Sequence, residues 1–195
     1  MTDRGGGQQL HRVRTSQSTN VARDAVVRCI EARALAFQGL DDAAAARLEP
    51  VQLVRYGRGE RYHFHTDWFT DAAHATAALG GNRASSFFAY LHVSNGTGGE
   101  RVRGGGTNFP LVDAPRGGGR WCELVDCDEP WDRGVTFRPV EGNAVYWDNL
   151  VPGAGGRGDP RTLHAGLPVV SGEKIGMNIW TRQAPLADDV RGPDV

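Results

Sequence analysis

Two histidines and one aspartate, split between distant parts of the sequence, limit most strongly the folds open to this chain. His65 and Asp67 lie two residues apart in YHFHTDWF, and His164 follows far downstream in TLHAGLPVV. Alternate side chains of a β-strand share a face, so His65 and Asp67 can project together from one strand. Two imidazoles and a carboxylate suit Fe(II) and leave coordination positions open. If these residues bind one metal, the fold must bring His164 beside this strand. The alternative is that His65 and Asp67 form a His-x-Asp pair by chance and bind no metal.

A lone lysine follows the second histidine. Lys174 opens an apolar, alternating segment in which Gly176, Asn178 and Trp180 share its face. Lysine is rarely fully buried without a partner, so an interior lysine predicts an anionic ligand such as a carboxylate. The alternative is a lysine at the exposed start of a strand, after the SGE turn.

Length and charge narrow the class of protein. The chain has 195 residues, of which 39% are hydrophobic and 23% charged, which is enough for one domain with a core. A formal net charge of -1 gives no broad basic field, so nucleic acid is not an expected partner. No segment approaches the ~20 apolar residues of a membrane span, and the N-terminus lacks the apolar part of a secretory signal. We therefore expect a soluble cytoplasmic or otherwise intracellular protein with no membrane partner.

The three cysteines do not predict a disulfide framework. Their odd number, with no secretory signal, argues against one. The spacing of Cys122 and Cys127 allows a bridge across a loop, but the expected reducing compartment argues against it. Zinc is not expected there because no further ligands surround the pair at suitable spacing.

Helices are predicted near the N-terminus, after a flexible lead over residues 1–12. Residues 18–20 suit an N-cap, and a helical apolar period then runs over residues 21–37, with Gly39 as its stop. A second, alanine-rich helix is predicted over residues 41–48.

From Pro50 onward the pattern is typical of short strands. Glycine clusters separate them, and because none has the spacing of a phosphate-binding loop we expect these clusters to be turns. Helices followed by many short strands predict an α+β protein, mainly β, with a sandwich or small barrel of strands. The predicted strands are 52–56, 62–69, 85–94, 107–111, 135–139, 144–149, 162–168 and 174–182.

Five blocks of sequence occur in a characteristic order, from RTSQSTN through YGRGERYHFHTD, GGGTNFP and FRPVEGNAVYWDN to LHAGLPVVSGEK. The second contains the pattern Tyr-x-x-Gly-x-x-Tyr-x-x-His-x-Asp, and the last keeps a ten-residue step from His164 to Lys174. Together they resemble the prolyl 4-hydroxylase group of Fe(II)/2-oxoglutarate-dependent dioxygenases. This resemblance implies a double-stranded β-helix of jelly-roll or cupin-like type over residues 13–183, with a tail over 184–195.

The resemblance also implies roles for individual residues. His65, Asp67 and His164 would bind Fe(II), and Lys174 would bind the distal carboxylate of 2-oxoglutarate, all four serving catalysis. Further residues match family positions near the cosubstrate: Tyr56, Thr107 and Trp180.

The implied reaction is hydroxylation of a prolyl residue in a peptide or protein. Its cosubstrates would be 2-oxoglutarate and O2, its by-products succinate and CO2, and ascorbate the expected reductant. One alternative is the same chemistry on free proline or another small metabolite. Others are a non-catalytic β-sandwich interaction protein and a cupin-like metalloenzyme without a cosubstrate, which would not explain Lys174.

Departures from the family pattern occur at three places. Gly106 replaces the usual acidic residue of the Gly-Gly-x-Thr turn, which predicts an altered pocket rim. The family has a strand and a helix before RTSQSTN, so a shortened form is expected here. Residues 121–134 form an elaborated loop, expected to cover the site or bind a partner.

Overall fold

Most strands of the protein form two antiparallel sheets. The computed structural model describes residues 15–94, 102–115, 119–128 and 133–191. Within these ranges the five-stranded sheet contains, in spatial order, β1 (Gln17–Asn20), β2 (Gln52–Tyr56), β11 (Lys174–Arg182), β4 (Arg83–Val93) and β8 (Ala144–Asp148). The four-stranded sheet contains β3 (Tyr62–His65), β9 (His164–Gly166), β6 (Thr107–Phe109) and β7 (Val135–Phe137). A separate pair joins β5 (Arg103–Gly104) and β10 (Val169–Ser171).

The main core lies between the two sheets. Inward-facing residues of the five-stranded sheet meet those of the four-stranded sheet in one buried apolar cluster that includes Tyr56, Phe88, Tyr90, Phe109, Val135 and Trp147. Two antiparallel sheets packed face to face confirm the predicted mainly β class.

A second core lies on the outer face of the five-stranded sheet, under helix α1 (Ala25–Phe37). Leu35 of the helix is 1% exposed and belongs to the same buried cluster as Met177 and Ile179 of β11. The two faces of β11 therefore differ as predicted: Met177 and Ile179 pack outward under the helix, and Lys174 and Trp180 point inward.

Helix α1 begins later than predicted. Its N-cap is Asp24, whose carboxylate accepts a hydrogen bond from the Val27 N–H at 2.8 Å. Residues 18–20 lie instead in β1, where they pair with β2. The end is confirmed, because Gly39 adopts a left-handed φ of 70° just after the C-cap. The predicted second helix is a 3₁₀ helix over Asp42–Arg47.

Strand bounds were predicted well where the strands are long or buried. β2 and β11 have the predicted limits, and β4 starts two residues earlier than predicted and ends one earlier. The predicted strand 62–69 ends at His65, and the predictions 107–111, 135–139, 144–149 and 162–168 are each longer than the strands observed. The short strands β1, β5 and β10 were not predicted.

The predicted poorly ordered tail is partly structured. Leu186 is 5% exposed and its N–H donates to the Ala46 carbonyl at 2.8 Å, and helix α2 (Asp188–Arg191) follows. The remainder of the tail, 192–195, and the predicted lead, 1–12, lie outside the described residues. Among the residues that the structure describes, no helix is long and apolar enough to span a membrane.

Cys122 and Cys127 form a disulfide, which corrects the expectation of free thiols. The intervening loop doubles back along β7, because the Asp126 N–H donates to the Thr136 carbonyl at 2.8 Å and Val125 forms a β-bridge with Phe137. This turn brings the two Cα atoms to 5.4 Å, within the range for a disulfide. Cys29 is free and exposed.

Candidate metal centre

The fold brings His65, Asp67 and His164 together at one end of the four-stranded sheet. His65 and His164 are direct partners in the register of β3 and β9. Asp67 lies two residues beyond the end of β3, so the predicted continuation of that strand is wrong, although its side chain still meets the histidines. Its Oδ1 lies 3.8 Å from His65 Nε2 and 3.9 Å from His164 Nε2. One ligand atom from each residue lies within 4.8 Å of the others, which is close enough for one metal ion.

Backbone carbonyls orient both imidazoles. His65 Nδ1 lies 2.7 Å from the His63 carbonyl oxygen, and His164 Nδ1 lies 2.9 Å from the Thr162 carbonyl oxygen. A carbonyl can only accept, so each Nδ1 must carry a proton, and Nε2, on the side of Asp67, is the nitrogen left to bind a metal. This outer hydrogen bond is the one that metal-binding histidines usually make.

The Asp67 carboxylate is held in one orientation from behind. Its Oδ2 accepts hydrogen bonds from the Ser86 hydroxyl at 2.7 Å and the Trp180 indole at 3.0 Å. Burial alone would raise the pKa of Asp67, but the electrostatic interactions with His164, Arg83 and His65 and the hydrogen bond from Ser86 together lower it. The carboxylate is therefore ionised at neutral pH, and two imidazoles with one carboxylate are a suitable set for Fe(II).

A layer of paired charges behind Trp180 was not predicted. The Arg83 guanidinium carbon lies 3.7 Å from the centre of the Trp180 ring, and its Nη1 lies 4.0 Å from Asp67 Oδ1. Glu49 accepts from Arg83 at 2.7 and 2.8 Å and from Arg182 at 2.6 Å. Glu49 lies in a loop before β2, where its sequence position gives no sign of a role. The one sign of this cluster in the sequence is Arg83, a charged residue at the start of the apolar strand β4.

Lys174 is fully buried at the far end of the same interior face. Its side chain is 0% exposed, and its Nζ donates to the Gly105 carbonyl and lies 4.7 Å from the centre of the Tyr56 ring. Within the described ranges, no carboxylate forms an ion pair with it. Burial lowers its pKa from 10.5 to about 7. A buried ammonium without a counter-ion is suited to bind an anionic ligand, and the alternative of an exposed strand start is wrong.

The three remaining sequence candidates lie at different ends of this face. Tyr56 is Lys174's partner in the β2–β11 register, and the Thr107 hydroxyl is hydrogen-bonded to the Tyr90 hydroxyl at 2.6 Å, both near Lys174. Trp180 lies at the metal end, where its indole N–H is bonded to Asp67. Contact of these residues with a cosubstrate stays a prediction, and the observed contact of Trp180 is with a candidate metal ligand.

Strands β4 and β11 connect the two ends. Ser86 and Trp180 pair beside Asp67, and Tyr90 and Gly176 pair beside Lys174. Between them Phe88 contacts Gly176, where a Cβ would come 2.2 Å from the tip of the phenyl ring. Only glycine fits opposite this ring, whose centre lies 5.3 Å from Lys174 Nζ.

A pocket of about 410 Å³ opens beside His164. Its apolar wall includes Trp147 and Phe109, whose ring centres lie 4.8 and 5.4 Å from that of His164. Polar residues that line it include Asp113, Asp159, Arg161 and Thr162.

Gly106, where the family pattern has an acidic residue, is tightly enclosed. A Cβ at this position would lie 2.6 Å from the Thr136 methyl and 2.8 Å from the Phe137 carbonyl oxygen. A side chain therefore does not fit here without a shift of β7. Part of the loop 121–134 lies outside the described residues.

The buried lysine predicts a pH dependence of stability in the ligand-free protein. Lys174 loses its proton near pH 7 when folded and near 10.5 when unfolded. Between these values the unfolded chain binds more protons, so the contribution of Lys174 to the free energy of unfolding rises with pH. Denaturant unfolding of wild type and Lys174→Met from pH 6 to 10 isolates this effect. We expect the wild type to gain stability relative to the variant above pH 7, and a constant difference would contradict the prediction.

A family model described as the 2OG-Fe(II) oxygenase superfamily matches residues 51–182. Probable prolyl 4-hydroxylase 4 of Arabidopsis thaliana is 32% identical over 177 residues, which are 90% of this chain and 55% of that protein. Prolyl 4-hydroxylase 2 of the same plant is 34% identical over 182 residues, covering 90% of this chain and 54% of that protein. The chain thus spans about half the length of these curated relatives.

Solved structures share the fold. The viral collagen prolyl hydroxylase of Paramecium Bursaria Chlorella virus-1, in complex with 2OG, gives a TM-score of 0.62 at 24% identity, covering 87% of this chain and 80% of that one. A Pseudomonas putida prolyl-4-hydroxylase gives 0.54 at 18% identity, covering 92% and 78%. These likenesses confirm the predicted double-stranded β-helix.

Proposed function

Because this chain belongs to the 2OG-Fe(II) oxygenase superfamily, we propose that it is an Fe(II)- and 2-oxoglutarate-dependent dioxygenase that hydroxylates a prolyl residue in a peptide or protein. Succinate and CO2 would be released with the product. The observation that carries the proposal is the pairing, on one interior face, of a His-Asp-His cluster with a fully buried lysine. The cluster matches Fe(II), and the lysine matches the distal carboxylate of 2-oxoglutarate.

The donor set fits the metal. His65, Asp67 and His164 would hold Fe(II), which when bound supplies the activation of O2 that couples 2-oxoglutarate decarboxylation to hydroxylation. The backbone carbonyls of His63 and Thr162 keep both Nε2 atoms directed at the site. Lys174 would neutralise the distal carboxylate and set its distance from the metal, while the surrounding rings of Tyr56, Phe88 and Tyr90 exclude water.

The prolyl substrate is supported by the names of the relatives and by the pocket beside His164. Trp147 and Phe109 give that pocket an apolar wall suited to a saturated ring, and its exposed side chains Leu111 and Val112 extend the wall outward. A pocket bordered by exposed residues suits a segment of a longer chain. The same chemistry on free proline or another small metabolite is the competing outcome of the substrate test.

Anaerobic titration tests the cofactor part of the proposal. Purified protein is loaded with Fe(II), and 2-oxoglutarate is added while the visible spectrum is recorded. Chelation of the metal by the 2-oxo acid should give a weak charge-transfer band, and succinate, which lacks the 2-oxo group, is the matched control and should give none. No band despite bound iron would indicate a different metalloenzyme, and failure to bind iron would favour a non-catalytic protein.

Addition of O2 then tests the substrate. With a proline-rich peptide present, we expect the band to disappear faster, succinate to accumulate and the peptide to gain the mass of one oxygen atom. Free proline at the same concentration is the control. Turnover with free proline alone would show that the substrate is a small metabolite and not a peptide. Loss of the band that neither the peptide nor free proline accelerates would remove the prolyl assignment.

A further inference from the structure

A line of buried polar side chains leads away from the second oxygen of Asp67. Ser86 Oγ donates to Asp67 Oδ2 at 2.7 Å, Asn149 Nδ2 donates to Ser86 Oγ at 2.8 Å, and Trp147 Nε1 donates to Asn149 Oδ1 at 2.8 Å. Ser86 and Asn149 are 0% exposed, and Trp147 is 9% exposed. Burial of polar groups costs free energy of folding unless each group is hydrogen-bonded, and here all three side chains have partners within the line.

The direction of every bond in this line is fixed by chemistry. An indole N–H can only donate, so the amide oxygen of Asn149 must face Trp147 and its NH2 group must face Ser86. The Ser86 oxygen therefore accepts from Asn149, and its single proton is left for Asp67. All of the donors point toward the carboxylate.

Asn149 is itself fixed by its backbone. Its N–H donates to the Ala84 carbonyl at 2.8 Å, and its carbonyl accepts from the Asp159 N–H at 2.8 Å. Asp159 in turn caps the 3₁₀ helix Pro160–Thr162, which ends two residues before His164. The same asparagine thus connects, through Ser86 and through Asp159, the segments that carry two of the candidate ligands.

We propose that Ser86 and Asn149 are positioning residues for Asp67 and that Trp147 fixes the direction of the hydrogen bonds. We call this line of three hydrogen-bonded side chains the relay. The relay, with the Trp180 indole, saturates Oδ2 and leaves Oδ1 as the single metal-binding oxygen. Binding through both oxygens would break two buried hydrogen bonds, so the carboxylate occupies one coordination position and leaves the others for cosubstrate. This inference rests on the proposed metal-binding role of Asp67.

Ser86→Ala tests the relay, and Ser85→Ala is its matched control. Both serines are buried in β4, but the Ser85 hydroxyl lies on the opposite face and donates to Gln38 Oε1 at 2.6 Å. Co(II), an air-stable substitute for Fe(II), is titrated into each metal-free protein by calorimetry. We expect Ser86→Ala to bind about 10–100-fold more weakly, as for loss of other outer-shell partners, with altered visible cobalt bands. We expect Ser85→Ala to bind as wild type.

Circular dichroism of the metal-free proteins shows whether the variants fold. If Ser86→Ala does not, Ser86→Cys provides the test, because a thiol of similar size is a weaker donor and should give an intermediate loss of Co(II) affinity. Equal affinities of wild type and the folded Ser86 variant would overturn the relay. Equal losses in Ser86→Ala and Ser85→Ala would do the same.

Trp147→Phe tests the direction of the bonds. Without the indole N–H the Asn149 amide can turn over, and the Ser86 proton is no longer directed only at Asp67. We expect a few-fold loss of Co(II) affinity in the wild-type background and no further loss in the Ser86→Ala background. Additive losses would show that Trp147 acts through its contact with His164 and would overturn the relay.

If wild type binds neither Co(II) nor Fe(II), the proposed function fails, whereas normal wild-type binding with unaffected variants removes the relay alone.

Discussion

Asp67→Ala is expected to abolish metal binding at the candidate centre and, with it, 2-oxoglutarate turnover. The substitution removes the only anionic member of the donor set and leaves only the two imidazoles. It also leaves the Ser86 hydroxyl and the Trp180 indole without their buried acceptor. Loss of a direct ligand should exceed the ~10–100-fold effect of losing an outer-shell partner, so Fe(II) affinity should fall beyond detection at micromolar protein. His65→Ala and His164→Ala should have the same effect.

His63→Ala is the matched control for these variants. His63 lies in the same strand as His65, its side chain is exposed, and its only described contribution to the site is a backbone carbonyl that alanine keeps. Iron content, the charge-transfer band with 2-oxoglutarate and succinate formation are measured for each protein. Normal activity in any of the three ligand variants would remove that residue from the metal site. Equal loss in His63→Ala would attribute the effect to the strand instead.

The positions of the candidate ligands could be predicted from sequence because the cause is partly local. Side chains two apart on a strand share a face, and this placed His65 and Asp67 together. The pairing of His65 with His164 is non-local, and the sequence predicted it only through the ligand chemistry and the family resemblance. Asp67 shows the limit of the local argument, since it reaches the site from beyond the strand end.

Residues around the ligands could not be predicted, because their roles depend on tertiary packing. Ser86 is one of two adjacent serines, and which of them faces Asp67 follows from the pairing of β4 with β11. Asn149 is predicted only as the last residue of a strand, and its role follows from the fold, which brings it to Ser86. His92 illustrates the converse, because it lies in the apolar strand β4, yet it is exposed and pairs with Glu141 at 3.2 Å.

Two further corrections have physical reasons. Residues 18–20 are good N-cap residues, but pairing with β2 satisfies their backbone groups and moves the cap to Asp24. The expected reducing compartment argues against a Cys122–Cys127 disulfide, but the backbone hydrogen bonds of the loop to β7 decide how close the two cysteines come. In each case non-local hydrogen bonds outweighed a local or general preference.

Lys174→Met is expected to raise the 2-oxoglutarate requirement by about 100-fold or more while leaving metal binding intact. Methionine fills a similar volume without charge, so the fully buried site stays packed. The distal carboxylate then enters the site without a counter-ion, and losing one partner of a buried charge pair costs about 2–5 kcal/mol in binding. Calorimetric titration of the Co(II)-loaded protein with 2-oxoglutarate measures the change. Unchanged cosubstrate affinity would remove Lys174 from this role, and lost Co(II) binding would indicate a general structural defect.

The pH dependence of that affinity separates charge from shape. The Lys174 ammonium has a pKa of about 7 in the ligand-free protein, so the fraction that can receive an anion falls as pH rises above 7. Bound 2-oxoglutarate favours the charged lysine and raises this pKa. Affinity of the wild type should therefore fall by up to about tenfold per pH unit above 7, until the raised pKa is reached. Lys174→Met has no proton to lose at this position, so its weaker binding should stay level over the same range. A parallel decline in both proteins would assign the pH dependence to another group.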